Sequence, residues 1–183
     1  MSLTSTGYAY RGENGMITGR ITTDALRGPH RLAYVRNQFL KIIGVANPTL
    51  LVLEDYAMGA RGNNMFHIGE LGGVLKTVAW DHGTALLPIP PAVLKKAITG
   101  KGNAGGKLSG KAKKQPMIDA LQRTFGLPEL QHDEADAAGL LIIGELLCDV
   151  RQMALTGAQL AYFDSIRQLQ VIKGRLQSIS FTN

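Results

Sequence analysis

Cysteine is nearly absent from this sequence. The single thiol among 183 residues, Cys148, excludes an internal disulfide and any cysteine-rich zinc site. It lies in the apolar run LLIIGELLC, which predicts a buried and inert side chain. Histidine is also scarce. His30, His67, His82 and His132 show no metal-ligand spacing, and neither a Ser-His-Asp nor a Cys-His arrangement can be assembled from them. His132, next to Asp133, is the one candidate for supporting a ligand from behind. No apolar run is long enough to span a membrane, and the N-terminus lacks the basic-then-apolar pattern of a secretion signal. The expectation is a cytoplasmic protein with no membrane partner. Acidic residues are missing from one whole stretch: none occurs between Asp81 and Asp119.

What is present is ordinary in bulk and uneven in detail. A hydrophobic fraction of 45% with 19% charged residues suits a soluble globular chain. The length suits one domain, or one domain with an appendage. Net charge is +6, and the acid-free stretch holds Lys95, Lys96, Lys101, Lys107, Lys111, Lys113 and Lys114. Two readings of this one-sign block stand side by side: a polyanion-binding element and a solvated, self-repelling loop.

The pattern predicts a hairpin first, with strands over Tyr8 to Tyr10 and Met16 to Thr22 joined by RGENG. A helix follows from Gly28, with Leu32, Val35, Phe39, Ile42 and Ile43 on one stripe and Pro48 as its stop. The uninterrupted apolar run LLVLE at 50 to 54 fits a strand covered on both faces, as in parallel sheets. A second helix covers NNMFHIGELGGVLKTVAW, where Gly69 and Gly73 would admit a close neighbour. ALLPIPP is a short strand, PAVLKKAIT a short helix begun by proline, and residues 100 to 115 form a Gly/Lys-rich loop. PMIDALQRTFG, HDEADAAGLLIIGELLCDV and TGAQLAYFDSIRQLQVIKGRLQSI read as three further helices. This order of elements describes an α/β layered domain whose sheet mixes antiparallel and parallel strands.

Three carboxylates stand where chemistry is placed in such folds. Glu54 ends the buried strand, at the edge where α/β sheets bind ligands. Asp133 and Asp136 are three apart at a helix start and share a face. Their spacing also fits plain structural roles: Asp133 an N-cap, Asp136 a first-turn acid favoured by the helix dipole, Glu54 a strand-end residue. GGKLSGKA at 105 to 112 nearly matches a phosphate loop, but Ala112 replaces the required hydroxyl and no strand precedes it.

Taken together, SLTSTGYA, GPHRL, VLEDYAMGARGNNMFHIGELGGVL and HDEADAAGLLIIGEL resemble, in order and spacing, the motifs of the RuvC family of Holliday-junction resolvases, which have the RNase H-like fold. The lysine-bearing segments LKKAITGKGNA and KKQPMIDAL are similar to the stretch that carries the family's DNA-contacting lysines. The likeness runs from Ser2 to about Leu147. It implies a nuclease domain over 1–147, including the basic loop 100–115, and a C-terminal helical extension of the same domain over 148–183. Fold, activity and partners then follow as expectations: a mixed β-sheet flanked by helices, Mg²⁺-dependent hydrolysis of branched DNA, and a homodimer whose two sites match a two-fold symmetric junction. Two Mg²⁺ ions about 3.5–4 Å apart, with Mn²⁺ as a possible substitute, activate water and stabilise the leaving alkoxide. Hard cations of this kind take carboxylate ligands. The resemblance makes Glu54, Asp133 and Asp136 catalytic and metal-binding. Lys95 or Lys96, and Lys113 or Lys114, resemble the family's DNA-contacting lysines, and Lys101, Lys107 and Lys111 of the longer loop between them, with Tyr56 and Arg61, are further candidates for DNA contact.

Two departures from the family pattern bear on these expectations. Where the family often carries a junction-wedging aromatic, this sequence has Ala57, flanked by Tyr56 and Met58. Tyr56 is either a base-stacking substitute or a core or turn residue. Second, Ser2 aligns two places after the family's first catalytic Asp, so that Asp and its strand are expected to be missing from this chain. Asp55, on the opposite face from Glu54, is a poor replacement. A non-catalytic junction-binding protein and an RNase H-like nuclease for other structured nucleic acids are the rival expectations.

Overall fold

The computed structural model describes residues 4–56, 64–101, 115–148, 150 and 155–167. The chain begins with strands β1 (Ser5–Gly12) and β2 (Gly15–Thr22). They pair antiparallel with Gly12 opposite Gly15, so the connection is two residues rather than the five of RGENG. Gly15 takes φ 128°, a conformation only glycine adopts without strain, and this lets the chain reverse so sharply. Both strands are correspondingly longer than the pattern predicts.

Helix α1 (Gly28–Ala46) carries Pro29 in its first turn and ends at Asn47 in the left-handed region, φ 41°. The predicted stripe holds: Val35, Phe39 and Ile43 are buried, with Leu32 and Ile42 packed beside them. Strand β3 (Leu50–Glu54), helix α2 (Asn64–Asp81) and strand β4 (Ala85–Ile89) follow, and β3 pairs parallel with β4. Then come α3 (Pro91–Thr99), α4 (Gln115–Phe125), α5 (His132–Leu147) and α6 (Gly157–Arg167). Glycines in the left-handed region close two of these helices, Gly100 after α3 (φ 69°) and Gly126 after α4 (φ 68°), because a Cβ there would clash with the backbone.

The expected mixed sheet is present as two separate ladders. Among the described residues β1 pairs only with β2, and β3 only with β4. Both ladders lie between two apolar layers, and the alternation of strand side chains sorts residues between them. Leu87 and Ile89 of β4 join α3, α4, α5 and α6 in one core, while Leu86 joins α1 and α2 in the other. Along β3, Leu50 and Val52 pack toward the first core, and Leu51 and Leu53 toward the second. Helix α5 packs against β1, β2 and β3 and so ties the ladders together. Helix α6 seats Phe163 and Ile166 in the core shared with α3 and α5, covering the molecule's own interior. Inside this contact Gln159 donates to the Ile98 carbonyl at 3.2 Å.

Two local expectations are corrected. Cys148 is exposed, because the helix ends at Leu147 and Cys148 is already its C-cap, turned off the buried face. The close approach on α2 falls on Gly72, where a Cβ would lie 2.5 Å from the Tyr56 hydroxyl, while Gly69 and Gly73 have nothing within 4 Å. No described helix is long and apolar enough to cross a membrane.

Candidate active site

Between the two ladders lies a cavity of about 510 Å³. Strand β1 forms one wall, β3 another, α5 the floor, and Phe39, Ile42, Ile43 and Leu75 of α1 and α2 the roof. Glu54, Asp133, Asp136 and Lys95 all line it, so three candidate metal ligands and one candidate DNA-contacting lysine share a single space.

Local sequence explains how each arrives there. Glu54 is the last residue of β3, past the buried Leu53. Asp133 and Asp136 lie in the first turns of α5, one turn apart. Capping falls to other residues: Gln131 is the N-cap, and its backbone N–H donates to Glu134 Oε2 at 3.1 Å in a capping box. Glu134 therefore takes the helix-starting role considered for Asp133, and the two aspartates face the cavity. Their charge also suits the positive end of the helix dipole. Beside them, the Nδ1 of His132 is buried without a hydrogen-bond partner among the described residues.

The start of α5 is held close to β1 by a glycine. A Cβ on Gly7 would lie 1.9 Å from the Asp133 carbonyl oxygen, so any side chain there forces strand and helix apart. Sequence reasoning placed Gly7 in a motif without assigning it this task. At the other end of the cavity, Arg11 of β1 pairs with Glu145 of α5. Glu145 is only 5% exposed. This contact was missed too, although a lone acid inside the apolar run IIGELL was a usable signal, since buried carboxylates require partners.

Of the other predicted residues, the described ones, Lys96, Lys101 and Tyr56, are not among those that line the cavity. Lys96, on α3, holds its Nζ 5.5 Å from the ring centre of Tyr162 on α6, a cation–π distance. Lys101 is exposed just past Gly100. Tyr56 leans on α2: its hydroxyl donates to the Gly69 carbonyl at 3.3 Å, and Lys76 stands 4.7 Å over its ring. Lys76 also meets Asp55 at 3.6 Å, which ties Asp55 to α2 while Glu54 lines the cavity. Arg61, Lys107, Lys111, Lys113 and Lys114 fall outside the described residues, as do Ala57 and Met58.

In chemistry the donor set fits a hard divalent cation. Three carboxylates with no thiolate among them suit Mg²⁺ or Mn²⁺ and disfavour soft metals. Within the described residues they are not drawn into a compact three-ligand group; they line one cavity.

No protein-family model matches the chain. Curated relatives do. It is 28% identical over 123 residues to the crossover junction endodeoxyribonuclease RuvC of Chromohalobacter salexigens, a match covering 67% of this chain and 61% of that protein. It is 26% identical over 145 residues to the RuvC of Dictyoglomus turgidum, covering 77% and 88%. The match thus spans about three fifths of the first relative and most of the second. Among solved structures, RuvC of Thermus thermophilus in complex with a Holliday junction substrate superposes with a TM-score of 0.62 at 15% identity, over 93% of this chain and 94% of that one. A second Thermus thermophilus RuvC structure gives 0.61, also at 15% identity, over 93% and 95%. Motifs, element order and superposition therefore agree: the chain is RuvC-like and has the RNase H-like fold.

Proposed function

We propose that this protein is a structure-selective endonuclease that resolves Holliday junctions and related branched DNA by metal-dependent phosphodiester hydrolysis. The observation that carries this reading is the convergence of Glu54, Asp133 and Asp136, from a strand end and a helix start, on one cavity beside Lys95. Glu54, Asp133 and Asp136 would hold the metal. When bound, a pair of Mg²⁺ ions, with Mn²⁺ as a substitute, supplies an activated water and stabilises the leaving alkoxide.

The chain's own residues do the positioning. Gly7 lets β1 pin the backbone of Asp133, and the Gln131–Glu134 box fixes the helix start, so both aspartates project from a rigid element. Lys95 brings positive charge to the cavity wall, where a phosphate would enter. Lys96, Lys101 and the loop residues Lys107, Lys111, Lys113 and Lys114 extend that charge along a backbone, joined by Arg61, and such binding weakens steeply with salt. The contacts of Tyr56 with Gly69, Gly72 and Lys76 favour a role in fixing the β3–α2 connection over base stacking. A homodimer would match the two-fold symmetry of the junction, and DNA as substrate agrees with work in the cytoplasm.

A second reading, a junction-binding protein without cleavage, is favoured by one observation: the described carboxylates are not gathered into a compact ligand group. Labelled four-way junction, flap, duplex and RNA–DNA hybrid substrates, each incubated with the protein and Mg²⁺, separate the two. Preferential cutting of the four-way junction is expected. Tight junction binding without cutting would establish the binding protein, and preferential cutting of the hybrid would move the activity to another substrate class.

A further inference from the structure

Two helix starts in this protein follow opposite charge rules. Helix α5 opens on Asp133 and Glu134, as the positive end of a helix dipole favours. Helix α1 has no acid in its first turn; it carries Arg27 as its N-cap and Arg31 one turn on. Their guanidinium groups are drawn to one atom. Arg27 Nη1 donates to the Leu26 carbonyl oxygen at 2.8 Å, and Arg31 donates to the same oxygen from Nε at 3.0 Å and Nη2 at 2.7 Å. Arg27 Nη1 also reaches the Asp24 carbonyl at 2.7 Å. Like charges are thus held together against the helix dipole, and neither arginine forms an ion pair among the described residues. A guanidinium offers a rigid fork of N–H donors, so each arginine keeps donors beyond those that the carbonyls take.

The surroundings of the pair identify its ligand. No Asp or Glu occurs from Ala25 to Leu53, while Arg27, Arg31, Arg36 and Lys41 do. Arg27, His30, Tyr34, Asn37 and Lys41 fall three or four residues apart on one stripe of the helix, and all are exposed. This stripe is turned away from the buried Val35, Phe39 and Ile43. Its length is about 21 Å at roughly 1.5 Å per residue, close to about six base pairs of duplex DNA at roughly 3.4 Å each. A small anion needs only the arginine pair. Cations spread over this length, with a tyrosine and an amide between them, suit the phosphates and sugars of a nucleic-acid backbone. A second copy of the chain, docked face to face, would oppose like charges.

Topology sets where the arginines stand. Helix α1 ends at Ala46 and β3 begins at Leu50, and Leu51 and Leu53 share a core with Val35, Phe39 and Ile43. The short connection reverses the chain, so the start of α1 lies toward the end of β3 that carries Glu54. The helix is about 28 Å long and the strand about 17 Å, so the first turns of α1 reach past Glu54. They do so in the layer opposite α3, which carries Lys95 and Lys96.

We propose that Arg27 and Arg31 form a phosphate clamp, which grips the backbone of a duplex DNA arm lying along α1, across the carboxylates from Lys95. The anion site stands on its own geometry, and the choice of duplex DNA rests on the nuclease reading above.

The test is binding of a labelled four-way junction and a labelled linear duplex to the full chain in EDTA, by fluorescence anisotropy over a salt series. Arg27→Gln should weaken both about ten-fold at low salt, the scale of one charge-assisted contact. It should also reduce the slope of log affinity against log salt by about one. Arg36→Gln removes the same charge from the same helix, off the stripe, and should leave affinity and slope near those of the unaltered chain. Arg27→Lys keeps the charge and loses the fork, so it should restore the slope but only part of the affinity; it carries the test if Arg27→Gln lowers the melting temperature. Equal losses for Arg27→Gln and Arg36→Gln would replace the clamp by a diffuse field and overturn the proposal, as would no loss for Arg27→Gln. Binding of inorganic phosphate or polyglutamate that needs Arg27, with DNA affinity indifferent to it, would give the site to another anion and equally overturn it. A chain that binds DNA through Arg27 but never cuts would sink the nuclease reading alone. One that cuts junctions with affinity indifferent to Arg27 would sink the clamp alone.

Discussion

Strands β3 and β4 are parallel partners of equal length and similar sequence, LLVLE and ALLPI, yet they sit in different worlds. β4 is buried at four of its five positions, β3 at one. The difference lies in what borders them. β4 is enclosed by α2, α3 and the cores on both faces, whereas β3 borders the cavity that also holds Asp133, Asp136 and Lys95. Among the described residues, a strand that reads as fully covered borders a cavity, and its last residue is Glu54. Stability is concentrated on the β4 side, chemistry on the β3 side.

This contrast can be broken from either side, and the largest effect is expected in chemistry. Asp136→Asn keeps the shape of α5 and removes a charge from the cavity, so junction cleavage should fall by on the order of 10²–10³-fold, the scale of losing one preorganised electrostatic contact. Circular dichroism and melting temperature should hardly move. An equal loss of fold and activity would instead make Asp136 a structural residue.

Next in size is the seam between β1 and α5. Gly7→Ala forces a Cβ into the Asp133 carbonyl and should cost about 2–3 kcal/mol, as over-packing of a close contact does. Gly44→Ala, in α1 with nothing within 4 Å, is the matched control and should stabilise by roughly 0.5–1 kcal/mol through helix propensity. Denaturant unfolding of the pair checks both signs. If Gly7→Ala were as benign as Gly44→Ala, the tight seam would not exist.

A smaller loss is expected at the far end of the cavity. Arg11→Met leaves the buried Glu145 carboxylate short of one partner. Since Arg11 is 45% exposed at its side chain, a cost of about 1–2 kcal/mol is expected, below that of a fully buried pair. Combining it with Glu145→Gln should recover part of the loss in a double-mutant cycle, and strict additivity would deny the pairing.

The smallest effect is assigned to Tyr162, which stands under Lys96. Tyr162→Leu keeps an apolar contact and removes the ring face, a cation–π contribution of about 0.5–1 kcal/mol at such a site. Junction affinity at low salt should drop two- to five-fold with stability little changed. No change in affinity would show that Lys96 acts without its aromatic support.

Much of this was legible in the sequence, and the parts that were not share a cause. Periodicity found every described helix and strand, because the stripe on α1 and the unbroken runs of β3 and α5 are set by local burial. Glycines at 100 and 126 marked helix ends for the same local reason. Readings that failed depended on which neighbour arrives from a distance. Cys148 was expected inside because its run is apolar, but the helix stops one residue earlier. Gly69 and Gly73 drew notice by spacing, although Tyr56 lands on Gly72. The Arg11–Glu145 pair joins residues 134 apart, beyond any periodicity argument.

The most direct test sets two neighbouring carboxylates against each other. Glu54 lines the cavity, and Asp55, the next residue, is paired with Lys76 on α2. Cleavage of a labelled four-way junction with Mg²⁺ is measured for the unaltered protein, Glu54→Gln and Asp55→Asn. The account predicts that Glu54→Gln abolishes cutting while junction binding persists, and that Asp55→Asn cuts at a rate close to the unaltered protein. Equal activity for Glu54→Gln and the unaltered protein, or a loss confined to Asp55→Asn, would contradict it.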